Sequence, residues 1–123
     1  MTKANYVDGF VLVVPKKSVA TYRKMASEAA KVWRKFGALD YKECVMDDGR
    51  PKSVVFTFGK MTKAKAGETV WFSYIVYRSR AHRDAVNKKV MAYFHAKYDK
   101  KDMQMPFDMK RMAYAGFRVE ASS

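Results

Sequence analysis

The sequence predicts an α+β fold in which one antiparallel sheet carries two helices on a single face. Two observations predict it. Strand-like runs rich in β-branched and aromatic residues alternate with two amphipathic helical patterns, in the order strand, helix, strand pair, strand, helix, strand. The chain has 123 residues, 49% of them hydrophobic, which suits a single domain over 1–123 with its core at about 6–119.

Residues 6–14 suit a strand, and Pro15 ends it. Ser18 is placed to cap the following helix, with Thr21 where a capping box would have Glu. Val19, Tyr22, Ala26, Ala29, Trp33 and Phe36 form its apolar stripe, and Gly37 ends it. Residues 38–46 read as a strand, with Leu39, Tyr41 and Val45 alternating against Asp40, Lys42 and Met46. The turn signal Asp47-Asp48-Gly49-Arg50-Pro51 follows, and residues 53–58 read as the return arm of a hairpin. Residues 60–68 read as a polar loop, and 69–77 as the strongest strand. Ser79 opens a second helix with Ala85, Val86, Val90, Tyr93 and Phe94 on one side and Arg83, Lys88, Lys89 and Lys97 on the other. A charged loop at 99–105 leads through Met105-Pro106-Phe107-Asp108 to the last strand, 112–119.

This order is the ferredoxin-like βαβ-βαβ plan with an inserted β-hairpin. Two helices cover one face of such a sheet, yet the first and third strands are apolar on both. Phe10, Leu12 and Val14 oppose Val7, Val11 and Val13, and Phe72 and Val76 oppose Trp71 and Ile75. The second face needs a cover, and the simplest is the same sheet of another subunit, making a homodimer.

The net charge of +13 is the unusual bulk property. It points either to a polyanion or to a solvated, lysine-rich surface. No apolar run is long enough to span a membrane, and no secretory pattern opens the chain. The one cysteine, Cys44, excludes an intrachain disulfide and reads as a small buried hydrophobe. Together these point to the cytoplasm.

Several motifs are specific enough to carry a resemblance. They include Tyr6-Val7-Asp8-Gly9-Phe10, Val32-Trp33, Gly37-Ala38-Leu39, Glu43-Cys44 and Gly67-Glu68-Thr69-Val70. Ser79-Arg80-Ala81-His82-Arg83-Asp84-Ala85-Val86-Asn87, Val90-Met91, Met105-Pro106-Phe107-Asp108 and Lys110-Arg111-Met112 complete the set. Through these the chain resembles the YbaA-like family, a domain of unknown function (DUF1428), from about residue 6 to 119. The resemblance implies a ferredoxin-like domain of the dimeric α/β-barrel type, with the sheets of two subunits packed together. It implies no assigned activity. The strong basicity sets this chain apart from the members it resembles.

The segment from Ser79 to Asn87 gathers His82, Arg80, Arg83 and Asp84 at a helix start, where they either bind an anion or form a structural cap. Asp8 and Glu43 are carboxylates inside strands. They serve either as general bases with His82 or Tyr114, or as salt links to Arg80 or Arg111; both readings require Arg or His close to each. His82, Asp8 and Glu43 are thus the candidate catalytic residues. Arg80, Arg83, Arg111, Tyr74, Tyr114 and Phe10 are the candidate ligand-binding ones. The histidines, His82 and His95, have no metal-ligand spacing, and no cofactor or phosphate-loop pattern occurs. The favoured reading is a small organic ligand, bound or converted between sheet and helices. The alternatives are nucleic-acid (RNA) binding on the basic helical surface, and a purely structural dimer.

Overall fold

The computed structural model describes residues 3–99 and 104–123. Strands β1 (Tyr6–Pro15), β2 (Asp40–Val45), β3 (Glu68–Tyr77) and β4 (Ala113–Arg118) form one antiparallel sheet in the order β2-β3-β1-β4. Helices α1 (Val19–Lys35) and α3 (Arg80–Lys97) are the crossovers, and a short helix, α2 (Phe58–Thr62), lies between β2 and β3. This is the ferredoxin-like α+β plan that the element order predicts. Part of the predicted loop at 99–105 lies outside the described residues.

Register assigns each strand residue to a face. Phe10 pairs with Ser73 and Tyr114, Asp8 with Ile75 and Gly116, and Tyr41 with Ile75. These side chains point towards α1 and α3, with Leu12, Val14, Trp71 and Tyr77. The core between layers has two centres. Ile75 and Tyr77 pack with Val32, Ala38, Val86 and Val90, while Leu12, Val14 and Trp71 pack with Tyr22 and Ala26. On α3 the buried pair Val86 and Val90 follows the predicted stripe, but Ala85 is exposed.

The predicted hairpin does not form. The segment 53–58 stays outside the sheet, because Pro51 lacks a donor and Ser53 takes a positive φ of 73°. Thr57 then caps α2, its Oγ1 accepting the Lys60 N–H at 3.2 Å, so part of the predicted polar loop is helical. Ser18 precedes α1 without a side-chain cap, since a 3-10 turn over Lys16–Ser18 already draws it into helical backbone. Cys44 is exposed rather than buried, because it faces away from the helices opposite Phe72.

That second face of the sheet is covered at one end. The Phe58 ring meets Phe72 edge-on at 6.4 Å, and beneath this segment Val13 and Val70 are buried. Beyond it the face is open: Phe72 remains 43% exposed and Phe117 56%.

Candidate functional site

Among the described residues Asp8 is the buried charge, only 1% exposed on a central strand. Burying a carboxylate is costly unless it is paired and hydrogen-bonded, and Asp8 is both. Arg83 donates from Nη1 to Asp8 Oδ1 at 2.7 Å, and the Tyr114 hydroxyl donates to the same oxygen at 3.1 Å. Arg83 Nη1 also donates to the Tyr114 oxygen, and its Nε donates to Asp84 at 2.7 Å. Burial pushes the Asp8 carboxyl up, while the Arg83 guanidinium and the Tyr114 phenol pull it back. Burial and the Asp8 charge raise the Tyr114 phenol.

Three elements set this geometry. The alternation of β1 turns Asp8 inward beside Tyr6 and Phe10. Register with β4 puts Gly116 opposite Asp8, and a side chain there would collide with the Tyr6 phenol. Tyr6 therefore fits beside the pair, its ring 5.2 Å beneath the Arg83 guanidinium. The Phe10 and Tyr114 rings lie 4.8 Å apart and floor the site, with Tyr114 48% exposed. Arg83, expected on the polar side of this helix, instead shares the stripe of Val86 and Val90, three and seven residues on, and that spacing is the sequence signal that selects it over Arg80.

The other candidates lie elsewhere. Glu43 sits between α1 and the edge strand β2, accepting from the Tyr22 hydroxyl at 2.8 Å and the Tyr41 hydroxyl at 2.7 Å. The expected arginine or histidine is replaced there by two phenols, because Tyr22 on the α1 stripe and Tyr41 two residues along β2 reach the carboxylate first. Burial and the Glu43 charge raise both phenols. His82 is a clasp at the start of α3. Its N–H donates to Ser79 Oγ at 3.0 Å, as a cap requires, and its Nδ1 accepts the Arg78 N–H at 3.0 Å. Its ring meets Tyr77 edge-on, and burial lowers its proton affinity.

Arg111 lies at the far end of the sheet, donating to Glu68 at 2.6 Å and to the carbonyls of Thr62 and Lys63. Arg80 is exposed, and Tyr74 faces away from the helices, opposite Lys42. Of the predicted residues, then, Asp8, Arg83, Tyr114 and Phe10 come together. Sequence reasoning missed Tyr6 in this group. It also missed Asn87, whose Oδ1 accepts from Trp33 at 3.1 Å and from the Tyr77 hydroxyl at 3.2 Å.

Among the described residues no cluster of His, Cys, Asp and Glu could hold a metal ion, and no helix is long and apolar enough to cross a membrane.

A family model described as a protein of unknown function (DUF1428) matches residues 5–109. The uncharacterized protein YbaA of Escherichia coli K12 is 44% identical over 112 residues, spanning 91% of this chain and 93% of that one. YbaA of Shigella flexneri matches to the same extent, with 44% identity over 112 residues. Among solved structures, a Bacillus cereus protein described as an antibiotic biosynthesis monooxygenase aligns over 98% of both chains, at 10% identity and a TM-score of 0.48.

Proposed function

Because the chain belongs to the DUF1428 family of proteins of unknown function, we propose a role from its own geometry: it binds a small organic ligand at Arg83 and Tyr114. The observation that carries this reading is the buried Asp8 carboxylate held by a guanidinium and a half-exposed phenol. Arg83 keeps Nη2 beyond its bonds to Asp8, Tyr114 and Asp84, and Tyr114, whose one O–H goes to Asp8, offers its ring, so the ligand has an oxygen acceptor for the guanidinium attached to an apolar or aromatic body. Asp8, its proton affinity raised by burial, holds both side chains in place and is the group positioned to take a proton.

The working unit is a homodimer. The support is the open sheet face, where Phe72 and Phe117 remain exposed on both sides of Val7, Val11 and Val76. A second copy offers the same apolar strip, and a two-fold axis brings the strips together.

The ligand site is tested by NMR saturation transfer against a panel of small phenols, carboxylates and β-dicarbonyls. The expected result is a class of binders lost in Tyr114→Phe and Asp8→Asn and kept in Asp40→Asn. Binding that survives both site substitutions, or no binder in the panel, refutes the site.

A further inference from the structure

A separate surface lies on the outer side of the helices. Helices α1 and α3 run antiparallel, as the ion pair between Glu28 and Lys97 and the ring contact between Phe36 and Tyr93 show. Between them runs a cleft of about 470 Å³ lined by Lys24, Ser27, Glu28, Lys31, Lys35 and Tyr93, with Val32 beneath. Lys24, Lys31 and Lys35 fall on one stripe of α1, about 16 Å long at the usual helical rise. On α3 the stripe is Lys89, Tyr93 and Lys97.

The charge here is one-sided. Glu28 is the acidic residue of the cleft, and it is already neutralised. Lys97 donates to it at 2.6 Å and the Tyr98 hydroxyl at 2.9 Å, which holds its carboxyl below the usual range. Lys24, Lys31 and Lys35 form no ion pair among the described residues. Lys35 instead stands over the Tyr93 ring, 5.7 Å from its centroid, with the paired Lys97 at the same distance. A row of uncompensated cations beside an aromatic ring is the chemistry that holds single-stranded nucleic acid. Phosphates track the lysines, and a base takes the place of an ammonium on the ring.

We propose that the cleft between α1 and α3 binds a short single strand of nucleic acid, with Lys24, Lys31 and Lys35 on its phosphates and Tyr93 stacked on a base. An acidic peptide would use the lysines but has no planar group for Tyr93. A duplex would use the charge but keeps its bases stacked. The cleft lies on the opposite side of the sheet from the open face, so pairing of two copies leaves it accessible.

The test is fluorescence anisotropy of a labelled oligo(dT) of ~12 nucleotides with the full chain, across a salt series. Replacing the three α1 lysines together (Lys24→Gln, Lys31→Gln, Lys35→Gln) is expected to weaken binding about tenfold or more. It should also flatten the slope of log affinity against log salt by about 2, since each phosphate neutralised contributes about 0.7. The matched triple Lys60→Gln, Lys63→Gln, Lys65→Gln, in the connection before β3, leaves that slope nearly unchanged. Tyr93→Leu weakens oligo(dT) and spares inorganic polyphosphate. The proposal is overturned if oligo(dT) does not bind, if the two triples are equally damaging, or if duplex or heparin fragments bind as tightly as the strand.

Discussion

A carboxylate on the helix-covered face of a central strand survives only with partners from other elements, and Asp8 takes one from α3 and one from β4. An Asn there has one acceptor oxygen and an amide nitrogen that cannot accept from Arg83 or Tyr114, and it leaves Arg83 leaning on Asp84, an exposed partner. Asp8→Asn is therefore expected to cost about 2–3 kcal/mol in urea unfolding, below the full loss of a buried pair. The pH dependence follows from the raised carboxyl. The folded state holds the Asp8 proton more tightly than the unfolded chain does, so this stabilisation is greatest below the ordinary value of 3.8. It is lost as pH rises through the raised value. The stability gap between wild type and Asp8→Asn should then narrow as pH climbs above about 4. Glu28, Asp40 and Glu68, all lowered by their partners, act in the opposite sense and cancel in the difference. A gap that widens with pH contradicts the assignment. At this scale the sequence was half legible. The alternation of β1 turns Asp8 inward, but its partner depends on the rotational phase of α3: grouping Arg83 with Lys88, Lys89 and Lys97 puts it on the wrong side, and its spacing from Val86 and Val90 is what sets that phase right.

Among elements, the four strands and two long helices are written in periodicity, and the structure keeps them nearly to the residue. The connection at 46–67 departs from the predicted hairpin for a local reason. Val54, Val55 and Phe56 have strand composition and the outer edge of β2 is free, but Pro51 and Ser53 turn the chain away from it. What holds this connection is remote in sequence. Arg111 donates to Glu68 and to the carbonyls of Thr62 and Lys63, tying the end of α2 to the start of β3. Arg111→Gln should raise amide exchange in residues 58–67 while leaving the central strands β1 and β3 protected. Uniform acceleration across the sheet would show instead that Arg111 supports the whole fold.

At the scale of the molecule, two features oppose each other. Exposed Phe72 and Phe117 favour pairing of open faces, and the net charge of +13 resists it. Light scattering should give twice the chain mass of 14.2 kDa at micromolar concentration. Phe72→Asp should give the single mass with an unchanged helical circular dichroism signal. Added salt should tighten the pairing by screening, while weakening any hold on nucleic acid. A wild-type monomer at micromolar concentration would refute the dimer. The sequence announced the uncovered face through strands apolar on both sides. It did not announce that α2 would cover one end, because that packing joins a loop helix to the face of the central strands β1 and β3 with no local pattern to mark it.

The lone thiol of Cys44 points out from this face, directly across from Phe72. The protein therefore carries its own gauge of assembly, with no label added. Under association, alkylation of the thiol slows as the protein is concentrated, because reagent reaches only the separated fraction. A rate indifferent to concentration would mean that the strip around Cys44 stays in water at every concentration tried.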